Sequence, residues 1–439
     1  MPKQFKSVIS LALLGLLIIG PSAGCRKEKS KPVSPRVIII GVDGAGWNFM
    51  NPLLKRGKLP NFDKLMKEGS SGVLRTINPT KSSIIWTSIA TGKTMIKHGI
   101  VDWAYVEKNN IKVPYSQGQR RVKAFWNIFG ELGLKVGVIN WFVTFPPEEV
   151  NGFMVSPAFA TQRGKKYLKS TPITYPTDLA DEISFVDKEV YADVLKKENL
   201  PDLAKGQPKG SLATHFSKFL IDDRRVELAS LDLFKKRPVD VFATYFHIVD
   251  VVSHFAVSRV DPKLLAKANE ESKKGGVSKA TRDEVDRAYS RVLEPVYAYM
   301  DRVVGRILEM ADDETTVVVV SDHGFIMGED GLGYNHFNMP TLPHGVIFLK
   351  GPDFKAGYKI KSAHVYDVLP TILHLLGHPV AEDMDGKVIA EAFKDDFMKG
   401  RSVKTIKTYE DGAARKIAPG NKEIDKKALE DLKSLGYIK

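Results

Sequence analysis

The sequence predicts an α/β protein: a mostly parallel central sheet with helices on both faces, carrying inserted cap elements. Three observations predict it. Apolar, β-branched runs recur without polar alternation, as in strands buried on both faces. Helical patterns lie between those runs. Acid and His residues gather just past the carboxyl ends of several runs, where open α/β sheets form their sites. The 439 residues are 43% hydrophobic and 27% charged, with one Cys. That balance excludes a disordered chain, and the lone Cys excludes a disulfide scaffold or a multi-Cys zinc ribbon.

Residues 1–24 read as a signal peptide, not as fold. Lys3 and Lys6 give a basic start, and Val8 to Ile19 is almost unbroken apolar sequence. Pro21-Ser22-Ala23-Gly24-Cys25 closes the run with small residues. The run is short for a membrane span, which needs about 20 residues. The layout is that of a bacterial lipoprotein signal, with Cys25 lipidated as the mature N-terminus; an uncleaved N-terminal anchor is the alternative. Either gives an exported, membrane-anchored protein facing the periplasm or the cell exterior. Residues 25–35 form a basic, solvated linker suited to an anionic leaflet.

The first buried strand is Arg36 to Val42 (RVIIIGV). Similar runs follow at Lys135–Ile139, Val239–Tyr245, Thr315–Val320 and Val346–Leu349, with a short strand at Val73–Ile77. Helices are expected after Pro60, over Ser83–Ala90, over Val122–Leu132 with Gly133 as its stop, from Thr281 to Met310, and over Val365–Leu376. The alternation breaks at about 157–237 and 256–285, which are polar and Lys-rich and read as caps over the site. The main domain therefore spans 36–395, and a charged tail, 396–439, ends in a short helix at Asp425–Leu435. Net charge is +13. The basic clusters Lys165-Lys166, Lys235-Lys236-Arg237 and Lys273-Lys274 lack interleaved aromatics, so no specific nucleic-acid partner is expected.

Four groups carry the chemistry. Asp43 closes the first strand, and Asp250 and His254 follow the third long run. Asp322 and His323 follow Thr315–Val320, and His336 and His344 approach the last run. Carboxylate oxygen and imidazole nitrogen suit Zn²⁺ and similar divalent ions. Each group alone has a plain reading: Asp-Gly turns at strand ends, or a helix-face pair four residues apart. Three Asp all placed at strand ends favour one shared site. Ser82 opens the helix after Val73–Ile77. Such a Ser is usually an N-cap, but beside a metal cluster it reads better as a nucleophile.

Val42-Asp43-Gly44, Thr80-Lys81-Ser82, Thr91-Gly92, His98-Gly99-Ile100, Asp250…His254, Ser321-Asp322-His323-Gly324 and Phe348…Gly351-Pro352 form one ordered set. The set resembles the type I phosphodiesterase/nucleotide pyrophosphatase branch of the alkaline phosphatase superfamily, over about residues 35–395. The resemblance implies an alkaline phosphatase-like fold and a metal-dependent phosphoester hydrolase with two divalent ions, Zn²⁺ or alternatively Mn²⁺. Asp43, Ser82, Asp322 and His323 would surround one ion, with Ser82 forming a covalent phospho-enzyme. Asp250, His254 and a third His would hold the other. His344 abuts the last strand directly, so His336 is the preferred third ligand and His344 the alternative.

Two positions depart from the family pattern. Trp103 stands where nucleotide pyrophosphatases place an Asn that holds a phosphoryl oxygen, and Ser82 replaces their Thr nucleophile. The expected substrate is a small-molecule or head-group phosphate ester, most simply a diester. A phosphomonoesterase on the same site is the nearest alternative, and a non-catalytic metal-binding lipoprotein is the alternative outside enzymes. Ser82-Ser83-Ile84-Ile85-Trp86 lacks the Pro and Arg that follow a sulfatase nucleophile.

Overall fold

Runs such as VIIIGV have no polar face to give to water, so the chain must cover them on both sides. The computed structural model describes residues 36–412, apart from 107–111, 161–170, 184–189, 207–215, 329–333, 338 and 340, with positions 426, 429, 430 and 433 beyond. The expected signal segment, Cys25 and the linker lie outside the described residues, as does nearly all of the expected tail helix. Among the described residues, no helix is long and apolar enough to cross a membrane.

Nine strands make the main sheet: β1 (Val37–Val42), β2 (Ser70–Arg75), β3 (Val136–Ile139), β4 (Gly152–Val155), β5 (Thr174–Tyr175), β6 (Val241–Phe246), β7 (Thr316–Val320), β8 (Gly345–Lys350) and β9 (Tyr358–His364). Their order across the sheet is β9-β2-β8-β7-β1-β6-β3-β4-β5. Central β1 runs parallel to β6 and β7, β3 runs parallel to β6 and β4, and β2 to β9. Only β8 and the edge strand β5 run the other way. The sheet is mostly parallel, and the carboxyl ends of β1, β2, β6 and β7 share one edge.

Both faces are covered. Ile38, Ile40 and Val42 of β1 enter one core with Phe49 and Leu53 of α1 (Trp47–Lys55) and Phe62 of α2 (Pro60–Glu68). Val37 and Ile39 enter the other, with Ile85 and Trp86 of α3 (Ser82–Thr91), Phe125 of α4 (Phe125–Glu131) and Leu369 of α9 (Val368–Leu375). The first core also takes Leu220 and Leu233 of α5 (Phe216–Lys236), Val252 of α6 (Ile248–Phe255) and Val304 of α8 (Lys279–Leu308).

Several boundaries differ from the sequence reading, each for a physical reason. Strand β2 lies earlier than Val73–Ile77, because Ser70 and Ser71 pair with Leu349 and Phe348 of β8. Strand β9 was not expected. It is an edge strand whose exposed Lys359 and Lys361 alternate with buried Ile360, and a bulge interrupts its register. In the first stretch read as a cap, α5 lies along the sheet, and its Ser230 hydroxyl bonds the Thr244 hydroxyl of β6 at 2.9 Å. Its apolar positions are spaced among charges, which hid its buried face. In the second stretch, α7 (Pro262–Lys273) packs beside α8, with Ala268 buried.

Candidate active site

Asp43 leaves β1 at the shared edge, where its N–H donates to Phe246 O at 2.9 Å. Gly44 follows at φ +74; a Cβ there would lie 2.8 Å from Asp250 Cα. Glycine therefore lets α6 approach the end of β1. Asp223 of α5 accepts the N–H groups of His247 and Ile248 at 3.1 and 2.9 Å and so caps α6. The same carboxylate holds His247 Nδ1 at 2.8 Å. Asp250 and His254 then share a helix face one turn apart, with Oδ1 and Nε2 3.4 Å apart.

Strand β7 delivers Asp322 and His323, both fully buried. His336 arrives on a short ribbon, Ile326–Met327 against Tyr334–Asn335. Tyr334 anchors that ribbon, stacking on Tyr289 of α8 with ring centroids 4.1 Å apart. His323 Nδ1 faces Gly324 O at 3.0 Å, and His336 Nδ1 faces Thr80 O at 3.1 Å. A carbonyl can only accept, so each Nδ1 carries a proton, and the neutral ring in that tautomer presents a lone pair at Nε2.

Ser82 begins α3, which has no side-chain N-cap bond. Its hydroxyl instead lies 3.5 Å from Asp43 Oδ1 and 3.3 Å from His323 Nε2. His323 Nε2 is 3.4 Å from Asp43 Oδ1, 3.4 Å from Asp322 Oδ2 and 3.7 Å from Asp250 Oδ1. His336 Nε2 is 3.1 Å from His254 Nε2 and 3.8 Å from Asp250 Oδ1. The fold thus brings together all seven side chains singled out in the sequence: Asp43, Ser82, Asp250, His254, Asp322, His323 and His336. His344 is placed elsewhere, with its Nδ1 accepting the Thr76 N–H at 3.2 Å.

The electrostatics are those of carboxylates and imidazoles crowded together in a buried site. Burial, then the Asp322 and Asp250 carboxylates, pushes the Asp43 carboxyl well above its ordinary range. Burial, with Asp250 adding to it, raises Asp322 to about 7. Burial, then His323 and His254, drives His336 far below the ordinary imidazole value. Two donor groups, Asp250-His254-His336 and Asp43-Asp250-His323, each keep their ligand atoms within 4.8 Å of one another. Oxygen and imidazole donors in such sets fit Zn²⁺ or Mn²⁺, and dications would relieve the crowding of like charge.

Two further residues shape the site and escaped the sequence reading. Tyr245 OH donates to Asp43 Oδ2 at 2.5 Å, and Trp86 Nε1 donates to the same oxygen at 3.0 Å. The one available signal was a phenol near the carboxyl end of an otherwise apolar strand. Lys81, next to Ser82, is taken by Asp102 at 2.7 Å. Trp103 is buried, with its ring 5.6 Å from that of Phe142. His98 is internal: its Nε2 meets Ser88 Oγ at 3.0 Å, and burial lowers its pKa to about 3.

A mostly parallel sheet with a hydroxyl and clustered Asp and His at its carboxyl edge defines a phosphodiesterase/phosphatase-type hydrolase of the alkaline phosphatase-like fold. The chain belongs to the Type I phosphodiesterase / nucleotide pyrophosphatase family, whose profile matches residues 37–363. It is 23% identical over 410 residues to the Bis(5'-adenosyl)-triphosphatase ENPP4 of Bos taurus, covering 84% of each chain. The protein of that name from Pongo abelii is 21% identical over 404 residues, again covering 84% of each. Among solved structures, a 2-O GAG sulfatase superposes with TM-score 0.55 at 12% identity, over 85% of this chain and 76% of that one. That likeness is one of fold.

Proposed function

We propose that the protein hydrolyses small-molecule phosphate diesters through a covalent phosphoseryl intermediate on Ser82. The observation that carries this reading is the Ser82 hydroxyl at the meeting point of the donor groups, 3.3 Å from His323 Nε2 and free of any capping bond. Asp43, Asp322, His323 and Ser82 would hold one divalent cation, and Asp250, His254 and His336 the other. When bound, two such ions supply positive charge that lowers the hydroxyl pKa and offsets charge on the phosphoryl oxygens.

The chain's own residues do the rest. Ser82 Oγ gives up its proton to solvent and bonds to phosphorus, while the bond from phosphorus to the leaving ester oxygen breaks. That oxygen departs with the electron pair as an alkoxide or phenolate, leaving the other ester on the seryl phosphate. Water then hydrolyses the phosphoserine, releasing a phosphate monoester and restoring the hydroxyl. His323 and His336 keep fixed tautomers through Gly324 O and Thr80 O, so their Nε2 atoms stay available as ligands. The Asp102 partner of Lys81 supports a diester preference, because the cation beside the nucleophile is already balanced. A monoanionic diester needs less added positive charge than a dianionic monoester.

We place this activity on an exported protein anchored through lipidated Cys25, on the strength of the N-terminal segment. The catalytic reading is tested by rates on bis(p-nitrophenyl) phosphate, p-nitrophenyl phosphate and p-nitrophenyl sulfate. The diester is expected to be fastest; a faster monoester overturns the preference. Labelling with a radioactive fatty acid, lost in Cys25→Ala, tests the anchor.

A further inference from the structure

Asp43 is held asymmetrically. Two side-chain donors, Tyr245 OH at 2.5 Å and Trp86 Nε1 at 3.0 Å, converge on Oδ2, whereas the Ser82 hydroxyl reaches Oδ1 at the longer distance of 3.5 Å. Its Oδ1 faces the opposite way in function, toward Ser82 and His323. The two donors come from different elements, β6 and α3, and pack edge-to-face with ring centroids 5.0 Å apart. Phe142 closes on Tyr245 at 5.6 Å and Trp141 on Trp86 at 5.3 Å, so neither ring is free to swing. Trp86 reaches under β1 because residue 41 is glycine; a Cβ there would lie 2.8 Å from the indole. Ser82 and Trp86 are four residues apart on α3, so one helix face presents both the nucleophile and a donor to Asp43.

We infer that Tyr245 and Trp86 are positioning residues that reserve Asp43 Oδ2 for the protein and leave Oδ1 alone for a divalent cation. The inference rests on the two-cation reading above and deepens it. A carboxylate with one oxygen pinned by neutral donors stays a single-oxygen ligand of fixed direction. Removing a donor lets it rotate or offer both oxygens, and loss of such a partner typically weakens metal binding by about 10–100-fold. The second cation site draws on Asp250, His254 and His336, whereas the side-chain hydrogen bonds of Tyr245 OH and Trp86 Nε1 go to Asp43. The effect is therefore confined to one of two binding steps.

The test is zinc retention by the purified full chain against a competing chelator, for wild type, Tyr245→Phe and Trp86→Phe. At Tyr245 phenylalanine keeps the packed ring and removes only the donor; at Trp86, which is fully buried, it also shrinks the ring, so near-ultraviolet circular dichroism and a thermal melt check the fold. Expected is a wild type with two tightly held zinc ions, and variants that release one of them at about 10–100-fold lower chelator while keeping the other. Two zinc ions held at wild-type strength in both variants overturn the inference. Equal weakening of both ions also overturns it, because a general loosening of the fold would do that. A wild type that holds no zinc overturns the two-cation reading itself, and this inference with it.

Discussion

His254 and His336 face one another through their Nε2 atoms at 3.1 Å, although 82 residues separate them in the chain. With its ring proton spent on Thr80 O, His336 meets His254 with a lone pair. Two imidazoles in that relation, with Asp250 Oδ1 beside both, form a candidate ligand set. His336→Ala should lose one of two zinc ions and cut diesterase activity by on the order of 100-fold or more, since losing a direct ligand costs at least as much as the about 10–100-fold typical of an outer-sphere partner. His344→Ala, which alters only a bond to Thr76, should retain both ions. Elemental analysis beside steady-state rates checks this, and the reverse pattern would exchange the two histidines.

Lys81 and Asp102 form an ion pair next to Ser82, so on the proposed reading Asp102 sets how much positive charge surrounds that hydroxyl. Asp102→Asn releases Lys81 from its 2.7 Å partner. Half-exposed pairs of this kind are worth about 0.2–1 kcal/mol, so the ratio of monoester to diester rate should rise by up to about fivefold. An unchanged ratio would remove Lys81 from any role in substrate choice.

The metal-free protein should become less stable as pH rises. Asp43 and Asp322 have raised carboxyl pKa values in the fold, through burial and neighbouring carboxylates. Above the ordinary value near 3.8 the unfolded chain releases these protons while the folded chain keeps them. Stability contributed by the neutral carboxyls is therefore full below that pH and lost as pH climbs toward about 7. Thermal melts in chelator from pH 5 to neutrality, roughly the interval between those two values, should show a falling midpoint that saturating zinc removes. A rising midpoint in chelator would contradict the charge crowding.

Asp223 supports the catalytic edge from below by capping the helix that carries Asp250 and His254. Asp223→Ala leaves the His247 and Ile248 N–H groups without their acceptor. Loss of such a cap costs about 0.5–2 kcal/mol, measurable as a lower urea midpoint. No change in the midpoint would make the cap incidental.

The parts of this molecule that were legible in sequence are those where one physical demand dominates. The runs at β1, β6 and β7 are apolar throughout because both faces are buried, and their carboxyl-end acids stand out against them. The edge strand β9 was hidden because its exposed lysines break that pattern. Helix α5 was hidden for the opposite reason: the polar side chains Asp223, Arg225 and Glu227 are buried, and the backbone N–H of His247, the Ala160 carbonyl and Arg306 respectively reach them from far along the chain. Trp86 and Tyr245 were illegible as site residues for the same cause. Their value lies in which oxygen of Asp43 they reach, and that depends on Gly41 leaving room for an indole.

The most direct test of the account is to quench the enzyme in acid during turnover of bis(p-nitrophenyl) phosphate and map the trapped phosphate by mass spectrometry. A p-nitrophenylphosphoryl group on the peptide carrying Ser82, absent from an inactive Ser82→Ala protein, is the predicted result. Full diesterase activity in Ser82→Ala, with no modified peptide in wild type, would contradict it.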